Sequence, residues 1–483
     1  MKLKVFFNYL ILFFSIQLFM FTEWLHRYFG KVDFEQILVF LNFGTRGLLN
    51  TEDYVIEKFI QLCIYFPILI LIIIYICIFL FKKIKTERKI LKLLINNNFK
   101  TILVIFFFSF IYFFQVLDIS KQFLNSEKSD FIKKNYTHPK LKKIKKSNKK
   151  DLLLIYLESF SEEFSKNTKL SNQTLNYINF KNLNNFKVKN FYQTTYNNYT
   201  IGAIVSSQCG IPQKPIGMLD TRFDNRKTKN VRDIFGLKNF LPNAICLGDV
   251  LKYNNYKNVF INSINPNFQA MNIFFNDHGY EEIIGKNYFV KKGYQNFNSW
   301  GEGANDRILF LEAEKLINKF KKNNESFNIN ILTTDTHYPG YRDSDCEIAQ
   351  NQKLSDLNFS ISCTSKHLFN FISKIKKKYG ESIIILIIGD HLNPIPQIKK
   401  ENYDKEPIYN RIVNSNIKIY RDEMNHYDVF PTLLDLIEFP FENKVGLGFS
   451  VLRKYPGLDY KKYKMDLKNN IEKRSEFYYE FWK

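Results

Sequence analysis

Three dense runs of apolar residues lie in the first quarter of the chain, at positions 5–22, 60–81 and 101–117. A helix needs about 20 apolar residues to cross a bilayer, so these runs predict three membrane spans within a membrane region of residues 1–118. The first run could instead be a cleaved signal peptide. No small-residue A-x-A-like site follows it, which favours an uncleaved anchor.

The pattern changes after residues 119–150, a polar, lysine-rich stretch that we interpret as a basic linker. Beyond it, amphipathic stretches at 307–320 and 354–378 alternate with short apolar runs at 152–157, 259–261, 329–332 and 383–388. Continuous aliphatic runs are typical of strands that are covered on both faces. Strands that alternate with helices predict an α/β domain with a mostly parallel sheet, which we place at residues 151–455.

Basic residues near the span ends predict how the chain crosses the membrane. The loop between the second and third spans is strongly basic, with Lys82, Lys83, Lys85, Arg88, Lys89, Lys92 and Lys100. The longer loop between the first two spans has fewer basic residues. Such basic loops stay on the cytoplasmic side. We therefore predict a multi-pass protein of the inner (cytoplasmic) membrane, with the α/β domain facing the periplasm or the cell exterior.

The formal net charge is +22, which in a soluble basic chain would indicate a nucleic-acid partner. With three spans, anionic lipid headgroups are the better partner, so we predict a membrane and no nucleic acid. A Lys/Asn-biased composition with solvated faces accounts for part of this charge. The basic and aromatic segment 456–483 would either touch the membrane surface or form the last helix of the domain.

Four of the six cysteines lie in the predicted outer domain, namely Cys209, Cys246, Cys346 and Cys363. Cysteines outside the membrane favour disulfides in an oxidising compartment. Sequence alone allows three pairings of four cysteines. We favour Cys209–Cys246 and Cys346–Cys363, because each of these bonds closes a local loop.

Three predicted strands run into residues that can bind metal or phosphate. Glu158 follows the strand at 152–157, the run TTDTH that ends at His337 follows 329–332, and Asp390 and His391 follow 383–388. Ligands of open α/β sheets gather at the carboxyl ends of strands. Each residue alone would more commonly be a helix cap or a structural histidine. Together they indicate one divalent metal, and carboxylate with imidazole suits Zn²⁺ or Mn²⁺, with Mg²⁺ possible too.

Thr200 is the candidate nucleophile for such a centre, since it begins a small-residue, helix-compatible stretch, TIGA. Backbone N–H groups and the dipole at a helix N-terminus favour an anion such as phosphate. An ordinary helix cap would look the same in the sequence.

Four segments together resemble the alkaline-phosphatase/sulfatase superfamily: LIYLESF at 154–160, YTIGAIVSSQCGIP at 199–212, TDTHYP at 334–339 and GDH at 389–391. They are similar, more narrowly, to its phosphoglycerol transferase branch, which includes lipoteichoic acid synthases and periplasmic glucan phosphoglycerol transferases. The segment 206–212, followed by CLGD at 246–249, is most similar to the glucan enzymes. The resemblance covers residues 150–440, includes DVFPTLL at 428–434, and implies a sulfatase-like, mostly parallel sheet sandwiched by helices.

The resemblance also implies roles for individual residues. Glu158, Asp390 and His391 match the metal-binding residues of the family, and Thr200 matches its nucleophile, which is also a metal ligand. His337 matches the histidine that contacts the transferred phosphate, which implies a catalytic and substrate-binding role.

The segment around Trp300 resembles the Trp-Gly segment that lines the family's substrate pocket. The chain departs from the family pattern here, because Glu302 and Asp306 compete for the position of the acid that follows the tryptophan. We predict Trp300 and Asp306 as substrate contacts.

The activity implied is metal-dependent transfer of phosphoglycerol from phosphatidylglycerol to a periplasmic or surface glycan, through a covalent intermediate on Thr200. One alternative is a phosphoethanolamine transferase that acts on a lipid or surface glycan, and another is a sulfatase-like phosphodiester hydrolase. A true sulfatase is disfavoured because TIGA lacks the C/S-x-P-x-R motif. A catalytically dead membrane scaffold or sensor is disfavoured because every candidate ligand is present.

Overall fold

The computed structural model describes residues 2–29, 34, 37, 53–84, 99–119, 127–145, 149–214, 238–294, 303–348, 354–393 and 406–483. The described residues up to 119 belong to a helical unit, and those from 127 onward belong to an α/β unit. Trp300 and Glu302 lie outside the described residues.

The helical unit contains helices at Lys2–Phe29, Asp53–Ile60, Phe66–Ile84 and Phe99–Val116, and a π-helical turn at Gln61–Tyr65 joins the second to the third. Three stretches are long and apolar enough to cross a membrane, Phe6–Arg27, Ile56–Cys77 and Phe99–Val116. The prediction of three apolar helices is confirmed. Their outward faces carry large apolar side chains such as Phe108, which is 66% exposed. Such a surface suits a hydrocarbon environment.

The α/β unit is organised around a six-stranded sheet whose strands are, in chain order, β1 (Asp151–Leu157), β3 (Lys257–Asn262), β4 (Glu282–Ile284), β5 (Phe327–Leu332), β6 (Ile383–Gly389) and β7 (Asn410–Ile412). In the sheet these strands have the order β4-β3-β5-β1-β6-β7. Five of them run parallel and the edge strand β7 is antiparallel to β6. A separate two-stranded parallel ladder pairs β2 (Asn190–Phe191) with β8 (Glu423–Met424). The predicted mostly parallel α/β sheet is confirmed.

Helices cover the sheet, and the two amphipathic stretches predicted as helices are helical. The helices are Phe131–Asn135, Asn172–Ile178, Thr200–Cys209, Leu247–Tyr253, Met271–Asp277, Lys286–Lys291, Asp306–Lys322, Asp356–Tyr379, His426–Leu436, Tyr460–Asn470 and Glu476–Tyr479. We call Thr200–Cys209 the Thr200 helix.

Alternate residues of each strand enter two hydrophobic clusters on opposite faces of the sheet. In β1, Leu154 and Tyr156 join one cluster, whereas Leu153 and Ile155 join the other. All seven residues of β1 are buried, as are all seven of β6. Burial on both faces explains why these central strands are continuous apolar runs rather than alternating ones.

Residues 127–145, within the predicted basic linker, pack onto the α/β unit. Phe131, Ile132, Tyr136 and Ile144 are buried in its first cluster, and the Ile144 N–H donates to the side-chain oxygen of a loop asparagine at 2.8 Å. These apolar residues are interspersed among lysines, so the charge dominated the sequence pattern and obscured the packing positions.

The C-terminal segment also belongs to the α/β unit. Leu467 and Ile471 lie in the first cluster, together with the aromatic residues Tyr478, Phe481 and Trp482. Of the two interpretations of residues 456–483, the packing agrees with a terminal helix of the domain. Burial of these aromatic side chains accounts for the aromatic content of the segment.

Disulfides join Cys209 to Cys246 and Cys346 to Cys363, at sequence separations of 37 and 17. The first bond ties the end of the Thr200 helix to the start of the next described helix. The second bond ties the loop after β5 to the long helix Asp356–Tyr379. Both pairings match the prediction from local loop closure.

Candidate active site

The Thr200 helix begins inside the protein, with Thr200 as its first residue and 8% exposed. The chain enters it in an extended conformation at Tyr199. Small residues are needed in its first turn, because a Cβ at Gly202 would lie 2.2 Å from the Tyr196 carbonyl oxygen. The TIGA sequence therefore allows a tight entry that holds the Thr200 hydroxyl at a buried helix start.

Glu158, Asp390 and His391 meet at the carboxyl ends of β1 and β6, which are adjacent and in register at Leu157 and Gly389. The Nε2 atom of His391 is 3.4 Å from Asp390 Oδ2 and 3.7 Å from Glu158 Oε1. One ligand atom from each of the three residues lies within 4.8 Å of the others. Neighbouring parallel strands thus deliver these side chains to one point, as the sequence predicted from strand ends.

The Thr200 hydroxyl reaches the same cluster, since its Oγ1 lies 3.4 Å from His391 Nε2. The His391 Nδ1–H donates to the Leu392 carbonyl at 2.8 Å. This bond fixes the tautomer, because a carbonyl can only accept. His391 Nε2 therefore faces the hydroxyl and the two carboxylates as an acceptor nitrogen.

Hydrogen bonds hold the two carboxylates in place. Asp390 Oδ1 accepts from the backbone N–H groups of Ser159 and His391 at 2.8 and 2.7 Å. The Ser159 hydroxyl donates to Glu158 Oε1 at 2.7 Å, while the Thr333 hydroxyl accepts from the Glu158 N–H. Supporting partners of this kind orient metal ligands in proteins.

These residues fit a divalent cation. Asp390 is 0% exposed, and its Oδ2 atom is buried with no hydrogen-bond partner in the described part of the chain. Burial raises the pKa of Asp390, and the neighbouring Glu158 raises it further. A cation would relieve both the unpaired oxygen and the repulsion between carboxylates.

His337 lies in the loop after β5 and is half-buried, close enough to the cluster for the charges of His391 and Asp390 to act on its ring. Burial lowers its pKa to about 4, despite a hydrogen bond from Nδ1 to the Tyr338 carbonyl. The ring is therefore neutral at pH 7. With the proton on Nδ1, Nε2 is the acceptor nitrogen.

Asp306 is fully buried as the first residue of the helix Asp306–Lys322. Its carboxylate accepts from the Thr334 N–H at 2.9 Å and the Thr364 hydroxyl at 2.7 Å, and its own N–H donates to Asp335 Oδ2 at 2.8 Å. The structure thus places the Asp306 oxygens against the base of the loop that carries His337. Trp300, the other predicted substrate contact, lies outside the described residues.

Sequence reasoning did not single out Gln269, whose side chain accepts a hydrogen bond from the backbone of the Thr200 helix. It also missed Ser159, although the Ser159 hydroxyl donates to Glu158 Oε1. Thr336 belongs to the predicted TTDTH run, and its hydroxyl donates to the Glu158 carbonyl at 2.6 Å. A signal existed for Ser159, because it adjoins Glu158, which was identified. Gln269 lies 68 residues from its partner, so local sequence gives no such signal.

Comparison with known protein families gives a match for residues 150–439 to the family described as Sulfatase. Among curated proteins, the chain is 30% identical over 272 residues to phosphoglycerol transferase I of Salmonella agona (strain SL483), covering 54% of this chain and 32% of that protein. It is 30% identical over 257 residues to phosphoglycerol transferase I of Escherichia coli O127:H6, covering 50% and 31%. The match thus spans about a third of the length of these curated relatives.

Among solved structures, a protein of the alkaline phosphatase superfamily from Vibrio parahaemolyticus aligns with a TM-score of 0.50 at 20% identity. The alignment covers 68% of this chain and 78% of that one. At this identity the likeness concerns the fold, and it agrees with the mostly parallel sheet described above.

Proposed function

Because the chain belongs to the Sulfatase family, we propose that it is a phosphoglycerol transferase that uses Thr200 as a covalent nucleophile. The observation that carries this proposal is the meeting of the Thr200 hydroxyl with His391, 3.4 Å away, within the Glu158–Asp390–His391 cluster. The relatives named phosphoglycerol transferase I support the choice of group transferred.

In the first step, Thr200 Oγ attacks the phosphorus of phosphatidylglycerol. The Oγ–P bond forms while the bond from phosphorus to the diacylglycerol oxygen breaks. His337, neutral at pH 7, takes the proton that Thr200 releases and passes it to the departing oxygen. A divalent metal held by Glu158, Asp390 and His391 would supply positive charge that lowers the hydroxyl pKa and offsets the charge of the phosphate.

In the second step, a hydroxyl of a periplasmic or surface glycan attacks the phosphorus of the threonine adduct. The Oγ–P bond breaks, the glycan oxygen gains the phosphoglycerol group, and the glycan proton returns to Thr200 by way of His337. The buried start of the Thr200 helix limits water at the adduct, which favours transfer over hydrolysis.

The three apolar helices fit a donor that resides in a bilayer. In the arrangement we propose, all three cross an inner (cytoplasmic) membrane, and the α/β unit lies on the periplasmic or outer side. The basic loop between the second and third spans supports this orientation. Both disulfides support an oxidising compartment for the α/β unit.

The proposal is tested by incubating purified full-length protein with Mn²⁺ or Zn²⁺ and phosphatidylglycerol that carries a labelled headgroup. Intact-protein and peptide mass spectrometry should find phosphoglycerol on Thr200, and the Thr200→Ala variant should lack it. An adduct formed from phosphatidylethanolamine instead would identify a phosphoethanolamine transferase. Headgroup transfer that persists in Thr200→Ala would refute the covalent scheme.

A further inference from the structure

The backbone N–H of Ile201, the second residue of the Thr200 helix, donates to Gln269 Oε1 at 2.9 Å. This N–H is one of the first four in the helix, which have no partner inside the helix itself. Such groups commonly bind the oxygens of a phosphate. Here the Gln269 side chain accepts the hydrogen bond from one of these groups, the N–H of Ile201, which follows Thr200 in the chain.

The orientation of the Gln269 amide follows from this bond. Because the donor is an N–H group, the atom that faces Ile201 is the carbonyl oxygen, and the amide nitrogen Nε2 is directed away from it. Ile201 is the one hydrogen-bond partner of the Gln269 side chain within the described part of the chain. Gln269 is 8% exposed, as is Thr200, and Ile201 is 0% exposed. The amide nitrogen thus belongs to a nearly buried side chain that contacts the helix start, and its two N–H donors have no partner among the described residues.

The backbone that delivers this side chain is strained. Gln269 and the next residue, Ala270, have φ values of +53° and +56°, in the left-handed region that non-glycine residues rarely adopt. This conformation is unfavourable because the Cβ atom lies too close to the following carbonyl oxygen. The strain persists because Ala270 is fully buried and caps the buried helix Met271–Asp277. Two consecutive strained residues at a ligand site are typical of a functional constraint.

We propose that Gln269 binds the transferred phosphoryl group: Oε1 holds the first turn of the Thr200 helix while Nε2 donates to a non-bridging phosphate oxygen. This inference rests on the proposed function. His337, in the tautomer described, offers an acceptor nitrogen rather than a donor. Gln269 supplies the complementary neutral donor, which stabilises charge on the phosphate oxygens without adding a second cation beside His391.

Two substitutions distinguish phosphate binding from simple helix capping. Gln269→Glu keeps an oxygen that can accept from Ile201 but removes the donor and adds a negative charge. Gln269→Ala removes both the helix contact and the donor. If Gln269 only capped the helix, Gln269→Glu would be the milder change. If it binds phosphate, Gln269→Glu is the more damaging one, because its charge repels the phosphodiester.

The experiment measures the single-turnover rate of Thr200 adduct formation in full-length wild type and both variants. Phosphatidylglycerol and bis(p-nitrophenyl) phosphate serve as phosphodiester donors. We expect a loss of about 100-fold or more for Gln269→Glu and about 10-fold or more for Gln269→Ala, with metal content and melting temperature close to wild type. Asn272→Ala removes a hydrogen bond to Asn267 on the same segment and should keep the wild-type rate.

A wild-type rate in Gln269→Glu, or a smaller loss in Gln269→Glu than in Gln269→Ala, would overturn the inference and leave the proposed function intact. If wild type forms no Thr200 adduct with either phosphodiester, the proposed function fails and this inference fails with it. A loss confined to the lipid donor would also contradict it, because the Nε2 contact is to the phosphate oxygen that both donors share.

Discussion

Two pairs of carboxylates are buried, Glu158 with Asp390 after β1 and β6, and Asp335 after β5 with Asp306 at the start of a helix, but their oxygens meet different partners. Glu158 and Asp390 face the acceptor nitrogen of His391, and Asp390 Oδ2 is unpaired within the described residues. Both oxygens of Asp306 accept hydrogen bonds, from the Thr334 N–H and from the Thr364 hydroxyl, whereas Asp335 Oδ1, like Asp390 Oδ2, has no hydrogen-bond partner among the described residues. The Asp306 N–H donates to Asp335, and Asp306 in turn accepts from the loop after β5.

The difference shows two ways in which a fold tolerates buried acids. Burial raises the pKa of Asp335 well above its usual range, and the neighbouring Asp306 raises it further; burial is also the main cause of the raised pKa of Asp306. The raised pKa values favour a protonated carboxyl in this pair, chiefly at Asp335. The pKa of Asp390 is raised too, but its cluster also has the imidazole and the hydroxyl that, with two carboxylates, suit a cation.

The largest effect is expected on metal binding and adduct formation, when one aspartate of each pair is replaced by asparagine. Asp390→Asn should lose bound metal after dialysis and lower adduct formation by about 1000-fold, because an amide cannot supply the ligand charge. Asp335→Asn should retain metal, measured by inductively coupled plasma mass spectrometry on the full-length protein. Equal metal content in both variants would show that the distinction between the two groups is wrong.

A smaller effect is expected from the residue that orients the first group. Ser159→Ala removes the hydroxyl that donates to Glu158 Oε1 but leaves the backbone N–H that donates to Asp390. Metal affinity should fall about 10- to 100-fold, the usual range for a supporting partner, as measured by competition with a chelating dye. Ser161→Ala, a nearby buried serine that caps a short helix, serves as the control and should not alter the affinity.

The sequence predicted the cluster of Glu158, Asp390 and His391, but it did not predict the surroundings of Asp306. Continuous aliphatic runs revealed β1 and β6, and parallel neighbours deliver whatever follows them to one edge, so Glu158, Asp390 and His391 could be assigned together. Asp306 was predicted to contact substrate because it follows the Trp-Gly segment. Whether its oxygens face a pocket or the backbone depends on the path of the loop after β5, which the sequence pattern does not encode.

Gln269 marks a second limit of the sequence. Its side chain reaches the Thr200 helix only because two non-glycine residues adopt left-handed backbone. Local preferences would disfavour that conformation, and tertiary packing imposes it. Similarly, residues 127–145 look like a linker because lysines outnumber the four buried apolar residues that fix them to the domain.

The smallest effect is expected on the stability of the protein. Its dependence on pH tests whether the pKa of Asp335 is raised in the folded state. Because the folded-state pKa of Asp335 is raised above the ordinary 3.8, the folded state binds more protons than the unfolded state above about pH 4, and stability falls as pH rises. Asp335→Asn removes the carboxyl group whose ionisation is unfavourable in the folded state. It should therefore raise the melting temperature by several degrees at pH 8 and by less at pH 5, where Asp335 already keeps its proton.

The matched control is Asp356→Asn, since Asp356 is exposed and pairs with Arg342 at the surface. An exposed ion pair contributes little to stability, so any shift in melting temperature should be small and the same at pH 5 and pH 8. Thermal unfolding of the full-length protein at the two pH values gives both differences. A shift for Asp335→Asn that does not grow with pH would mean that Asp335 carries its charge in the folded protein. The two groups of acids would then differ in geometry alone.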